Sequence, residues 1–250
     1  MQRIYFISDV HLGADPPAEE QDRLERLLAF LNVIREQGAD LCIVGDLFDF
    51  WFEYRHVLPR GSHRVVTALE DIVHRGGCVR YLPGNHDFAI DGFFSRDIGV
   101  TIEQQRAVFR HDGKTFYVHH GDGLCPRDTG YRIIRGILRN RFAQWGFRWL
   151  HPDIGFAVAR IASRSSRAYT ASKEYGAEDG MLEEARKRIA EGADFVVMGH
   201  RHRPEMVRIA NGVYVNLGDW ITHFTYAVYR EGRMELVSVK DGAPVILDSF

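Results

Sequence analysis

Leu41-Cys42-Ile43-Val44-Gly45-Asp46-Leu47-Phe48-Asp49 sets the pattern for the whole chain. A short apolar run meets a glycine and then an acid, as in a buried strand that stops at a tight turn and presents a carboxylate at its end. The pattern recurs on both sides. Upstream, Ile4 to Ser8 leads into Asp9-Val10-His11. Downstream, Val79 to Pro83 leads into Gly84-Asn85-His86-Asp87, Thr115 to His119 into His120-Gly121-Asp122, and Phe195 to Gly199 into His200-Arg201-His202. Leu24, Leu27, Leu28, Leu31 and Ile34 recur at helical spacing up to Gly38, and Val65 to Val73 before Gly76-Gly77 repeats the scheme. Val213 to Leu217, Thr225 to Arg230 and Met234 to Val239, punctuated by Asn211-Gly212 and Glu231-Gly232, predict antiparallel hairpins at the end of the chain. Alternating strands and helices predict an α/β fold.

A chain of 250 residues with 45% hydrophobic and 26% charged residues fits one soluble domain over residues 1–250, and excludes collagen-like, disordered and disulfide-scaffold classes. Thirty-two basic against 34 acidic residues leave a net charge of -2, so no nucleic-acid partner is expected. Cys42, Cys78 and Cys125 form no CxxC pair and read as reduced packing residues. The opening apolar run reaches Asp9 too soon for a signal peptide, and no stretch is apolar enough to span a bilayer, so a cytoplasmic protein is expected. The charge is uneven. Tyr131 to Lys173 holds nine Arg or Lys against Asp153 alone, with Phe142, Trp145, Phe147, Trp149 and Phe156 interleaved. That +8 segment leaves -10 for the rest, and predicts a basic insertion of two or three amphipathic helices, a helical lid over residues 125–178.

One strand-end Asp or His is usually a turn or capping residue. Five such clusters in sequence order, at the strand ends where open α/β sheets bind ligands, predict a metal site instead. On an extended segment Asp9 and His11 aim at one point. Imidazole and carboxylate donors without thiolate suit Mn, Fe or Zn, and there are enough for two ions. His56, His63, His74, His111, His151 and His223 have no such company and read as surface or core residues.

D-x-H at residues 9–11, G-D-x-x-D at 45–49, G-N-H-D at 84–87, the His120 that precedes Gly121-Asp122, and G-H-x-H at 199–202 together resemble the calcineurin-like metallophosphoesterases. The resemblance implies a four-layer α/β sandwich, two mixed sheets flanked by helices, with two divalent metal ions. Carried over by motif, Asp9, His11, Asp46 and His202 hold the first ion, and Asp46, Asn85, His120 and His200 the second, with Asp46 bridging. His86 then acts with Asp46 in catalysis, stabilising charge on phosphate or protonating the leaving group, a contribution of about 10²–10⁴ in rate. Asp87 could orient His86, or His86 could simply cap a turn. Asp49 would accept a hydrogen bond from a ligand histidine, and His119 would pack.

Residues 45–51, the run His120 to Cys125 followed by Asp128 and Gly130-Tyr131, and the basic insertion look like the UDP-2,3-diacylglucosamine pyrophosphatase branch of lipid A synthesis. The partner it implies is a lipid-linked nucleotide sugar cleaved to UMP and 2,3-diacylglucosamine 1-phosphate. Substrate contacts would come from Asp128, Tyr131, Arg132, Arg135, Arg164, Arg167 and Lys173, with peripheral association to an anionic inner membrane. Ile133, Ile134, Ile137, Leu138 and Phe142, with Trp145, Trp149 and Phe156 beyond, either line an acyl groove or pack the insertion down. The sequence departs from that branch at His86, where the branch carries Arg, and at Asp49, where it usually carries Glu. Arg grips phosphate with a planar fork and His does not. Two other readings stay open: a phosphoesterase for another phosphodiester or nucleotide, and a non-catalytic scaffold or membrane-surface module of the same fold.

Overall fold

The computed structural model describes residues 2–54, 56–90, 92–124, 140–158, 163, 180–240 and 242–250. Strand β1 (Ile4–Ile7) pairs in parallel with β2 (Asp40–Val44), and β3 (Val79–Leu82) and β4 (Thr101–Ile102) continue the parallel set. On the other side of β1, strands β10 (Thr225–Arg230), β11 (Arg233–Ser238) and β12 (Val245–Ser249) add antiparallel neighbours, giving the order β12-β11-β10-β1-β2-β3-β4. The second sheet has β5 (Arg106–His111), β6 (Lys114–His119), β7 (Phe195–Met198), β8 (Pro204–Ile209) and β9 (Gly212–Leu217) in the order β5-β6-β7-β9-β8. Both sheets are mixed.

Alternation along the strands sorts the layers. Ile4 and Phe6 of β1 turn toward the second sheet and share a core with Cys42, Val44, Phe116, Val118, Phe195 and Val197. Phe116 is its hub, with ring centroids of Phe6, Phe109, Phe195 and Tyr229 at 5.9, 5.3, 5.1 and 5.1 Å. The intervening Tyr5 and Ile7 face helices α1 (Pro17–Gln37) and α2 (His63–His74), meeting Leu27, Leu31, Ile34, Leu69 and Ile72. On the far side Tyr117, Val196, Met198 and Tyr214 pack on Met181, Ala185 and Ile189. These last three belong to the helix Gly180–Ala190, numbered α4 because α3 (Arg141–Phe147) precedes it. The layers therefore run helices, sheet, sheet, helix, as expected.

The hairpin between β10 and β11 turns at Glu231-Gly232 as read from the sequence. Between β8 and β9 the two-residue loop is Ala210-Asn211, one position earlier than Asn211-Gly212, and Gly212 pairs with Ile209. A Cβ at Gly212 would lie 2.9 Å from Ile189 and 3.0 Å from the Ala193 carbonyl, so this glycine serves the close approach of α4. Cys42 and Cys78 are free thiols, and burial pushes both up from the ordinary thiol range, consistent with packing residues.

Between β6 and α4, the Asn140 side chain caps α3 by accepting from the Phe142 and Ala143 amides, and residues 152–158 are helical. Phe147 and Phe156 pack on Phe50 and Phe52, with ring centroids 4.7 to 6.0 Å apart. Phe142, Trp145 and Trp149 instead face solvent, at 84, 63 and 77% exposure. Packing and exposure thus fall on different residues of this segment. Cys125, Asp128, Tyr131, Arg132, Ile133, Ile134, Arg135, Ile137, Leu138, Arg164, Arg167 and Lys173 lie outside the described residues. Among the described residues, no helix is long and apolar enough to cross a membrane.

Candidate metal centre

β1, β2 and β3 run parallel in one sheet and β6 and β7 parallel in the other, and the loops after all five strands meet. Backbone hydrogen bonds fasten the first two together: Asp9 N donates to Gly45 O, and Val10 N and His11 N both donate to Asp46 O, at 3.1, 2.9 and 2.9 Å. Gly199 N donates to His120 O at 2.9 Å, which ties the β7 loop to the β6 loop. The Asp9–His11 segment is not extended, as the i,i+2 argument assumed. Asp9, His11, Asp46, His200 and His202 all adopt left-handed backbone, with φ of 54, 51, 53, 69 and 54°. Such conformations are costly for residues with a Cβ and persist where surrounding bonds over-determine them, as at functional sites.

Three groups of side chains result: Asp9, His11 and His202; His11, Asp46 and His86; and Asp46, His120 and His200. Asp9 spends Oδ2 on the Ser8 hydroxyl and on the His200 amide, the latter at 2.8 Å. Its Oδ1 faces His11 Nε2 at 3.7 Å and His202 Nε2 at 3.3 Å. Asp46 likewise accepts the His86 amide on Oδ1 at 2.8 Å and turns Oδ2 to His120 Nε2 at 3.3 Å and His11 Nε2 at 3.8 Å. His120 Nδ1 lies 2.8 Å from the Val44 carbonyl, to which it donates, so Nε2 is the nitrogen that faces Asp46 and Asn85 Oδ1, the latter 3.1 Å away. The structure therefore brings together all seven residues proposed as ligands.

A cation fits this arrangement. Asp9 Oδ1 and His11 Nε2 are buried with no hydrogen-bond partner, a state that is expensive unless something else satisfies them. Spacings of 3.3 to 3.8 Å between donor atoms suit ligands about 2.0–2.2 Å from a shared ion.

Protons stand in for that charge when no metal is bound. Burial works against a charged His120, but the Asp46 carboxylate overrides it and pushes the ring up to about 10. Burial also opposes charge on His202, and Asp9 and Asp219 raise it to about 10. Burial and the neighbouring His120 lower His200 to about 4, so it is neutral. Below pH 10 a cation must displace the protons of His120 and His202. Calorimetry of metal binding in two buffers of different ionisation enthalpy is expected to show close to two protons released at pH 7.5, and affinity climbing with pH until about 10. No proton release would contradict it.

Asp87 does not orient His86. Its carboxylate is buried on the other side, accepting from Leu47 N, Gly84 N and the Tyr81 hydroxyl, and burial with the Asp46 charge raises it to about 6. His86 Nδ1 instead lies 3.1 Å from the Asp49 carbonyl and 3.2 Å from Ser163 Oγ. Asp49 Oδ1 stands 3.4 Å from His11 Nδ1, the acceptor position expected of it. His119 accepts the Gly121 amide on Nδ1 at 2.8 Å. Sequence reasoning missed Asp219. One of its oxygens accepts from the amides of Ile221, Thr222 and His223, while the other lies 3.5 Å from His202 Nδ1 and 3.3 Å from His223 Nδ1. The Gly218-Asp219 pair after β9 repeats the Gly45-Asp46 pattern after β2 and could have signalled it.

A calcineurin-like phosphoesterase family model matches residues 2–204. The UDP-2,3-diacylglucosamine hydrolase of Porphyromonas gingivalis is 29% identical over 96% of this chain and 98% of its own. That of Salmonella typhi is 32% identical over 93% and 97%. Among solved structures, a Vps29 variant from Entamoeba histolytica covers 100% of this chain and 98% of its own at 11% identity, with a TM-score of 0.52. An archaeal phosphodiesterase covers 98% and 100% at 13% identity, with a TM-score of 0.51. These two share the fold. With the family model spanning most of the sequence and the four-layer sandwich in place, the chain belongs to the calcineurin-like phosphoesterase family.

Proposed function

We propose that the chain hydrolyses UDP-2,3-diacylglucosamine to UMP and 2,3-diacylglucosamine 1-phosphate, with Mn²⁺ ahead of Fe²⁺ and Zn²⁺ as its metal. The observation that carries this reading is the near full-length similarity to hydrolases of that name, joined to a converged Asp and His cluster. Asp9, His11, Asp46 and His202 would hold one ion, and Asp46, Asn85, His120 and His200 the other. When bound, two divalent ions neutralise phosphate charge and acidify water.

The side chains supply the rest. Asp46 keeps the two groups at a set separation. His86, with Nδ1 donating to the Asp49 carbonyl, is left with Nε2 for the phosphate. Burial lowers His86 and so favours its neutral ring in the free protein, whereas the negative charge of an arriving diphosphate favours the protonated form that can donate to a departing oxygen. Asp128, Tyr131, Arg132, Arg135, Arg164, Arg167 and Lys173 of the insertion, the lid over residues 125–178, would grip the nucleotide sugar.

Purified protein supplied with Mn²⁺ should release UMP from the lipid substrate, and release no faster than that of an Asp46→Asn control would dismiss the reading. A soluble phosphodiester or nucleotide is the competing substrate, favoured by His86 in place of the branch's Arg. Under that alternative, removing the acyl chains leaves turnover unchanged.

The lipid substrate calls for peripheral association with the inner membrane. Exposed Phe142, Trp145, Trp149 and Ile154 beside the basic Arg148 suit an anionic bilayer surface. Trp145→Ala with Trp149→Ala is expected to lower binding to phosphatidylglycerol vesicles at least tenfold in sedimentation, while hydrolysis of a soluble aryl phosphodiester stays unchanged. Equal vesicle binding by wild type and double variant would remove this surface from the membrane role.

A further inference from the structure

Asp49 to Tyr54 forms a strap between the metal centre and the insertion. Its alternate residues Asp49, Trp51 and Glu53 are buried in the body of the protein, and Glu53 accepts the amides of Gly92 and Phe93. The residues between them point the other way: Phe50 meets Phe147 and Phe156, and Phe52 meets Phe147 and Tyr54. Two-residue alternation thus places the aspartate that serves the site directly beside aromatics that seat the insertion.

The insertion reaches back to the same aspartate. Ser163, 6% exposed, donates from Oγ to Asp49 Oδ1 at 2.7 Å, and the same oxygen lies 3.2 Å from His86 Nδ1. Asp49 Oδ1 is also 3.4 Å from His11 Nδ1 and 3.5 Å from His86 Nδ1. One carboxylate oxygen is shared by two histidines of different expected roles, and a hydroxyl 114 positions further along the chain pins it. Oriented hydroxyl and carboxylate partners fix which nitrogen of an imidazole faces a site and where the ring points.

We infer that Ser163 is a positioning residue: by holding Asp49 between His11 and His86, it makes seating of the insertion and alignment of the metal centre a single structural event. This rests on the role given to His86 above, whereas the part that runs through His11 depends only on the cation site. A hydroxyl-free side chain at 163 removes the hydrogen bond to Asp49 Oδ1, so the carboxylate is less firmly fixed against His11 Nδ1 and His86 Nδ1. Displacements below an ångström at such positions are costly to rate.

The test uses the full-length protein loaded with Mn²⁺ and bis(p-nitrophenyl) phosphate as substrate. Ser163→Ala is expected to lower kcat about tenfold with KM within about twofold, and to weaken Mn²⁺ binding measured by calorimetry by about tenfold. Ser163→Thr, which retains the hydroxyl, is expected to recover at least half of both losses. Ser163→Cys, similar in volume but a weak donor, should track Ser163→Ala. Unchanged kcat and Mn²⁺ affinity in Ser163→Ala, or a Ser163→Cys protein that behaves as wild type, would overturn the inference. So would Ser163→Thr falling as far as Ser163→Ala while circular dichroism shows all three folded. His86→Ala serves as the separating control. If it leaves hydrolysis unchanged, the proposed role of His86 falls, and the Mn²⁺ affinities of the Ser163 variants still decide the His11 arm.

Discussion

Asp46→Asn is expected to reduce turnover of an aryl phosphodiester by about 10³-fold with Mn²⁺ supplied, while the far-ultraviolet circular dichroism spectrum stays unchanged. Asp46 is the carboxylate common to the His11 and His86 group and to the His120 and His200 group. Asn keeps the oxygen that accepts the His86 amide at 2.8 Å, so the loop after β3 retains its anchor. What disappears is the charge on the oxygen facing His120 and His11. Several kcal/mol of charge stabilisation at about 1.36 kcal/mol per decade gives the expected factor. Two accompanying measurements sharpen it. Metal analysis should find fewer than two ions per chain, and the His120 ring in metal-free protein should titrate well below its present value of about 10, because Asp46 is the main influence raising it. A variant that kept more than a tenth of wild-type turnover would show that the shared carboxylate is dispensable.

Gly84→Ala should be nearly as damaging without removing any functional group. A Cβ at Gly84 would lie 2.2 Å from Asp46 Oδ1 and 2.8 Å from the Asp46 backbone nitrogen. The second contact is with backbone, which is itself bonded to the loop after β1, so it cannot move aside cheaply. Asp46 must rotate, and with it goes the acceptor of the His86 amide. Overpacking of this kind costs about 1–3 kcal/mol of stability, and a misplacement of about 1 Å costs about 10² in rate. Chemical denaturation and kcat on the same substrate provide the readings. Gly146→Ala is the matched control, because a Cβ there meets open space. Equal activity in the two variants would mean that the loop after β3 yields more readily than its contacts imply.

The strands that sequence patterning missed are instructive. They are β4, β5 and β8, which with β12 are the four outer strands of the two sheets. An edge strand is covered on fewer sides, so it needs no continuous apolar run: β5 reads Arg-Ala-Val-Phe-Arg-His and alternates exposed with buried or half-buried positions. The inner strands, buried on both faces, announce themselves by composition. The last ten residues supply β12.

At the site, the residue types and their order along the chain were legible because each sits one to four positions beyond a strand, and strand ends are local features. Asp219 escaped notice because its role depends on His202, which comes from another strand end. Ser163 escaped because a serine in a basic segment carries no local signal, and its meaning comes from Asp49, 114 positions away. Asp87 was misassigned for a related reason. Adjacency in sequence suggested His86, whereas the chain turns there and sends the two side chains in opposite directions.

Sequence alone thus determined the α/β class and the inventory of donors, since two-residue and helical periodicities and strand-end turns are properties of neighbouring residues, and it implied the layered sheets through its family resemblance. Tertiary structure alone decided which oxygen of Asp46 turns to His120, that His120 presents Nε2, and that Ser163 bonds the aspartate that faces His11 and His86. Those outcomes depend on hydrogen bonds between loops tens of residues apart, which hold Asp9, His11 and Asp46 in left-handed conformations that no short stretch of sequence would adopt unaided.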